Sequence, residues 1–152
     1  MNSNIKIRKA IKEDLVSIFQ LEEEAFKPMN YPLFVLRQFY DIAPDLFFVA
    51  ADELNQIKGY CFGGIDMDKN IGWVFVLAVT KPEQKRKIGQ RISLELLSAF
   101  KSKNINEIQL TTTPDNTSAI NLYEKLGFKK VSEDLNYYFD NSPRIIMKLD
   151  SK

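Results

Sequence analysis

Lys85, Arg86 and Lys87 crowd into a loop between an apolar run, Leu77-Ala78-Val79, and an amphipathic stretch that opens with Ile88-Gly89-Gln90. A strand that runs through a cationic loop straight into a helix makes a cradle for an anion. The first backbone N–H groups of the helix have no intrahelical partner, its dipole is positive there, and the loop side chains add charge. The spacings G-x-x-x-x-G-K-[S/T] and G-x-G-x-x-G are both absent, which disfavours a nucleotide P-loop or a dinucleotide fold. The chain has no histidine and one cysteine, Cys61, so transition metals lack a ligand set and protons must be moved by Tyr, Asp, Glu, Lys or the substrate itself. Cys61 lies in an apolar run and reads as a buried, inert thiol in a reducing compartment.

Alternation of Ile5 and Ile7 with Lys6 and Arg8 predicts a first strand, followed by a helix carrying Leu15, Ile18, Phe19, Ala25 and Phe26. Pro28 and Pro32 bracket a break, and a second short helix through Leu33, Phe34, Leu36, Phe39 and Tyr40 ends before Pro44. Strands over 46–51, 57–65 and 71–79, with polar turns at Asn55 and 66–70, form an antiparallel meander. The segment Glu83 to Phe100 aligns Ile88, Ile92, Leu96 and Phe100 on one face and predicts the longest helix. A strand over 107–112, a helix over 116–126 and two closing strands complete a mixed α/β order with a parallel crossover around the long helix.

A second motif sharpens the first. Pro114-Asp115-Asn116-Thr117-Ser118-Ala119-Ile120-Asn121-Leu122-Tyr123-Glu124-Lys125-Leu126-Gly127-Phe128 follows one strand after the long helix. With Leu77-Ala78-Val79 and Gln84-Lys85-Arg86-Lys87-Ile88-Gly89, it resembles the GCN5-related N-acetyltransferases (GNAT family), particularly the branch acting on ribosomal-protein alanine and other N-terminal α-amines. The resemblance implies an α/β (α+β) fold with about seven strands in a mixed sheet, a β-bulge splay between the fourth and fifth strands, and about four helices. It implies acetyl-CoA as cosubstrate. Leu77, Ala78 and Val79 would pair with the pantetheine arm by strand addition, the backbone of Lys85, Arg86, Lys87, Ile88, Gly89 and Gln90 would hold the pyrophosphate, and Asn116 would contact the cofactor. Tyr123 would stand near the sulfur as proton donor to the leaving thiolate. Tyr31, Phe34, Tyr137 and Tyr138 would wall the acceptor groove, with core packing as their alternative role.

The chain departs from the family pattern at two positions. Lys87 stands where the loop's first glycine belongs; a backbone kept in the right-handed region would let its side chain point outward and add charge to the phosphate site, and cofactor binding is expected to be retained. Thr111 stands where that branch often carries a glutamate, which removes one candidate base; Glu24, Asp66 and Tyr138 could act through water, and none is assigned. An α-amine near pH 8 is partly neutral already, whereas a lysine near 10.4 costs about 3.4 kcal/mol more to deprotonate. An α-amine acceptor is therefore favoured over lysine.

The 152 residues suit one domain, 1–152, and 45% apolar with 27% charged residues is the composition of a folded soluble protein. A net charge of +1 gives no footprint for a nucleic-acid partner. No apolar run approaches the roughly 20 residues needed to cross a bilayer, and no signal-peptide core opens the chain, so a cytoplasmic monomer or homodimer is expected. Two readings compete with protein N-terminal acetylation: transfer to a small amine such as a polyamine, amino sugar or amino acid, and a silent CoA-binding or partner-binding module.

Overall fold

The computed structural model describes residues 4–83 and 86–150. Lys85, expected in the phosphate loop, lies outside them. The chain runs β1 (Lys6–Lys9), α1 (Leu15–Phe26), α2 (Leu33–Ile42), β2 (Phe47–Ala51), β3 (Ile57–Asp66), β4 (Ile71–Val79), α3 (Ile88–Ser102), β5 (Glu107–Thr112), α4 (Thr117–Lys125), β6 (Lys129–Asp134) and β7 (Arg144–Asp150). Among the described residues, one sheet orders these strands β1-β2-β3-β4-β5-β7-β6. The meander β1 to β4 is antiparallel, β4 and β5 are parallel across the α3 crossover, and β7 inserts antiparallel between β5 and β6.

Strand alternation sends neighbouring residues to opposite faces, and each face buries its own cluster. On one face Cys61, Leu110, Ile145 and Met147 pack under α3, whose Ile88, Ile92, Leu96 and Phe100 recur every four residues, and under α4 through Tyr123. On the other, Phe47, Tyr60, Phe62, Val76 and Ala78 pack under α1 and α2 through Ile18, Leu21 and Leu36.

Two irregularities of β4 shape everything that follows. Phe62 pairs with Val76 but Gly63 pairs with Val74, so Phe75 is an extra residue, a β-bulge. Parallel pairing with β5 covers only Ile71, Gly72 and Trp73, opposite Glu107, Ile108 and Gln109. Beyond that point β4 and β5 part, and the expected splay is present.

The longest helix starts at Ile88 and not at Glu83, which belongs to a short 3-10 turn over Lys81–Glu83. Lys87 is the reason. It sits at φ 60°, ψ 22°, in the left-handed region, where a right-handed helix cannot continue backward. The right-handed condition for Lys87 is therefore not met: the residue adopts the geometry that glycine would take freely, at a cost of about 1–2 kcal/mol. The remaining elements lie within a few residues of their expected bounds, and β5 spans 107–112 as read from the sequence.

Candidate active site

At the start of α3 the N–H of Arg91 donates to the carbonyl of Lys87, the first bond of the helix ladder. Ile88, Gly89 and Gln90 therefore present their N–H groups forward with no intrahelical acceptor. Arg86 differs from its expected role. Its N–H donates to Glu83 O at 3.2 Å, and its guanidinium pairs with the Glu83 carboxylate at 2.6 Å, so part of its charge is already neutralised. Lys87 is exposed beside it. A Cβ built on Gly89 would meet nothing closer than Leu122 at 3.4 Å, so the protein itself does not require glycine there.

Leu77, Ala78 and Val79 follow the bulge on the stretch of β4 that β5 does not pair. Along Leu77 and Ala78 the strand edge toward the splay is thus not covered by β5, and a ligand could pair with it. Thr80, at the end of this edge, keeps its hydroxyl buried with no hydrogen-bond partner among the described residues. Asn116 is the N-cap of α4, its side-chain oxygen accepting from Ala119 N–H at 3.2 Å.

Tyr123 is 6% exposed, with its ring edge-on to Phe128 at 5.5 Å. No described residue hydrogen-bonds its hydroxyl. Burial, and secondarily the Cys61 thiol nearby, pushes its pKa well above the ordinary phenol value. It stays protonated at neutral pH, as a proton donor must. Cys61 itself is buried, its thiol pushed far up by burial, and serves as packing.

On the opposite face, a groove of about 540 Å³ runs past Tyr31, Phe39, Trp73, Phe75, Tyr137 and Tyr138, with Thr111 on its β5 wall and Asp66 at the β3 end. Its floor is an aromatic cluster: Phe39 lies 4.6 Å from Phe62 and 5.2 Å from Phe75, centroid to centroid. Gly64 makes room for the ring of Phe75, since a Cβ there would fall 2.7 Å from its Cε2. Three of the four expected acceptor residues, Tyr31, Tyr137 and Tyr138, meet here. Phe34 does not: it is 67% exposed on α2 and absent from the lining, and Phe39, further along the helix, takes the inward place.

Two residues not picked out in the sequence organise this groove. Glu22, 1% exposed on α1, accepts the Tyr60 hydroxyl at one oxygen and the Tyr31 backbone N–H at the other, 2.7 Å away. Burial pushes its pKa up, and the two accepted hydrogen bonds oppose this without cancelling it. Glu22 follows Ile18 by four positions and Leu15 by seven, so the apolar stripe of α1 already pointed it inward. Arg144, at the start of β7, donates from Nε to Thr111 Oγ1 at 3.1 Å and from Nη2 to Thr111 O at 3.0 Å. Its Cζ lies 5.2 Å from the Tyr138 ring centre, a cation–π contact. Tyr31, packed under this group, has its pKa raised to about 12, mainly by burial. Glu24, weighed as a base, is exposed on α1 and away from the lining.

An open strand edge and free helix N–H groups on one side of a splay, with an aromatic groove on the other, suit a thioester donor meeting an amine. Comparison with known proteins decides the matter: residues 12–128 match the Acetyltransferase (GNAT) family. The chain belongs to the GNAT family. It is 29% identical over 153 residues to the N-alpha-acetyltransferase of Sulfurisphaera tokodaii, covering 93% of this chain and 90% of that protein. It is 29% identical over 109 residues to the mycothiol acetyltransferase of Renibacterium salmoninarum, covering 69% of this chain and only 32% of that longer protein. A crystal structure of the NatC complex bound to Gag peptide and CoA contains a chain that superposes with a TM-score of 0.89 at 23% identity, covering 97% of this chain and 99% of that one. As a GNAT protein it is an acetyl-CoA-dependent N-acetyltransferase, and the silent CoA-binding module is set aside.

Proposed function

We propose that this GNAT enzyme acetylates the N-terminal α-amine of a protein or peptide. The observation that carries the reading is the make-up of the groove: aromatic walls open to an extended acceptor, with Thr111 of β5 in the lining where a carboxylate base would otherwise stand, and Arg144 of β7 hydrogen-bonded to it. A cation there disfavours a protonated amine, so the acceptor should be one that is substantially neutral near pH 8, as an α-amine is. Likeness to N-alpha-acetyltransferases supports the same reading.

Acetyl-CoA supplies an activated acetyl thioester, which the amine nitrogen attacks at the carbonyl carbon as the C–S bond breaks. The N–H groups of Ile88, Gly89 and Gln90 fit its pyrophosphate, aided by the α3 dipole. Leu77 and Ala78 would orient the pantetheine arm through backbone hydrogen bonds along the edge that β5 leaves uncovered. Tyr123 donates its phenolic proton to the departing thiolate and regains one from solvent, while the amine loses its proton to water in the groove. Positioning of the two reactants across the splay provides the rest.

Purified protein given acetyl-CoA and two peptide sets tests this, with products counted by mass spectrometry. Peptides with a free α-amine and no lysine are expected to be acetylated; peptides with a blocked N-terminus and an internal lysine are not. The reverse pattern would overturn the reading. The second reading, a small amine, is favoured by likeness to a mycothiol acetyltransferase, and the same assay with polyamines, amino sugars and amino acids separates the two.

A further inference from the structure

Arg144 is half-buried, yet no carboxylate of the described residues lies within ion-pairing distance of it. Asp134, its register partner on β6, makes no ion pair with it, so the guanidinium keeps charge to offer a ligand. Its placement follows from strand alternation. Ile145 and Met147 of β7 point into the α3 face, so Arg144 points to the acceptor face, as does Thr111 between the inward Leu110 and Thr112 of β5. Thr111 lies two residues past Gln109, the last residue that pairs β5 with β4, and so stands on the wall of the splay where the acceptor must reach the thioester.

The guanidinium is fixed there by three contacts. Nε and Nη2 are held by the Thr111 hydroxyl and carbonyl, and one flat face rests against Tyr138. No described residue accepts from Nη1, so a rigid, oriented pair of donors remains beside the groove. Planar guanidinium groups held in this way match the two oxygens of a carboxylate.

We propose that Arg144 selects acceptors carrying a carboxylate close to the amine that is acetylated. This rests on the proposed reading of the groove as the amine site. The carboxylate could be an acidic side chain near the peptide N-terminus or the α-carboxylate of a free amino acid; the chemistry recognised is the same. A carboxylate seated on Arg144 would also neutralise the cation's effect on the neighbouring amine only in part, so the guanidinium orients the acceptor without acting as a base. Arg144 is in this sense a specificity residue, and Tyr138 and Thr111 position it.

Steady-state acetylation of matched pairs tests the proposal on the unaltered enzyme. One pair carries Glu or Gln as the second residue of an otherwise identical peptide amide; the other compares a free amino acid with its carboxamide. A charge-assisted bond of ordinary strength predicts kcat/KM higher by about 10- to 100-fold for the acid in at least one pair, and the pair that shows it identifies the source of the carboxylate. In Arg144→Gln that ratio should fall to near one, while Arg144→Lys should keep part of it. Equal rates for acid and amide in both pairs overturn the proposal even if all four are acetylated, leaving the amine-site reading intact. Absence of transfer to any α-amine, with CoA bound normally by calorimetry, sinks the underlying reading and the proposal with it. A melting curve and CoA titration of each variant guard against misfolding, and the comparison of acid with amide on the unaltered enzyme does not depend on them.

Discussion

The two sides of the splay are built from different materials. On the proposed donor side, recognition would come from the backbone: three forward N–H groups at the α3 start and the stretch of β4 through Leu77 and Ala78 that β5 does not pair. On the acceptor side it is offered by side chains, namely the aromatic walls, the buried Glu22 that ties Tyr31 to Tyr60, and the Arg144 guanidinium on Thr111. A backbone site tolerates exchange of the residues that form it, provided their dihedrals hold. Lys87 in the place of a glycine illustrates this, since it adopts the left-handed conformation and the helix start survives. A side-chain site has no such tolerance, so substitutions there should cut deeper and change which acceptor is used.

This contrast can be broken at several points. Tyr123→Phe, which removes the proposed proton donor while keeping the ring on Phe128, should lower kcat about 100-fold with the CoA dissociation constant nearly unchanged; steady-state rates and calorimetry measure both. A kcat within a few-fold of normal would move proton donation elsewhere. Glu22→Gln leaves one of two buried donors without a good acceptor and should cost about 1–3 kcal/mol in denaturant unfolding, with a higher KM for the acceptor and unaltered CoA binding. Its pH dependence has a definite sign. Because the folded pKa of Glu22 is raised, the native state holds its proton more tightly than the unfolded chain, so the stability this proton contributes is present below the unfolded pKa and lost as pH rises through the folded one. The unaltered protein should therefore lose ground to Glu22→Gln between acid and neutral pH, as paired melting curves would register.

Smaller effects belong to the donor side. Arg86→Ala should weaken CoA only a few-fold, since Glu83 already shares its charge, and the loss should shrink in high salt. Lys87→Gly should raise unfolding stability by about 1 kcal/mol through relief of the left-handed strain, with little change in CoA affinity. A large change in affinity would show that the lysine side chain, and not the backbone it bends, makes the site.

Legibility in the sequence followed the same division. The α3 stripe and the alternation of β5 were visible because burial on one face imposes a period, and the family was visible through the resemblance of the loop and of the Asn116-to-Phe128 run. The helix start was misplaced at Glu83 because Glu83 to Lys87 contains no helix breaker, and the break comes from a lysine held left-handed. Phe39 carried no signal that set it apart from Phe34, since the apolar positions of α2 wrap around much of its circumference, and only packing against Phe62 and Phe75 decides which ring turns inward. Arg144 carried no local signal at all. Its meaning depends on the pairing of Thr111 with Ile146, a register set by residues far apart in the chain.

The extra residue at Phe75 gears the two substrates together. Deleting it would restore an uninterrupted pleat, and every later side chain of β4 would trade faces: Val76 and Ala78 with the α1 side, Leu77 and Val79 with the α3 side. The wall of the amine channel and the rail for the pantetheine would be displaced in a single stroke. Mutational drift in this enzyme is thus free to alter what sits in the channel but not the kink that both partners lean upon.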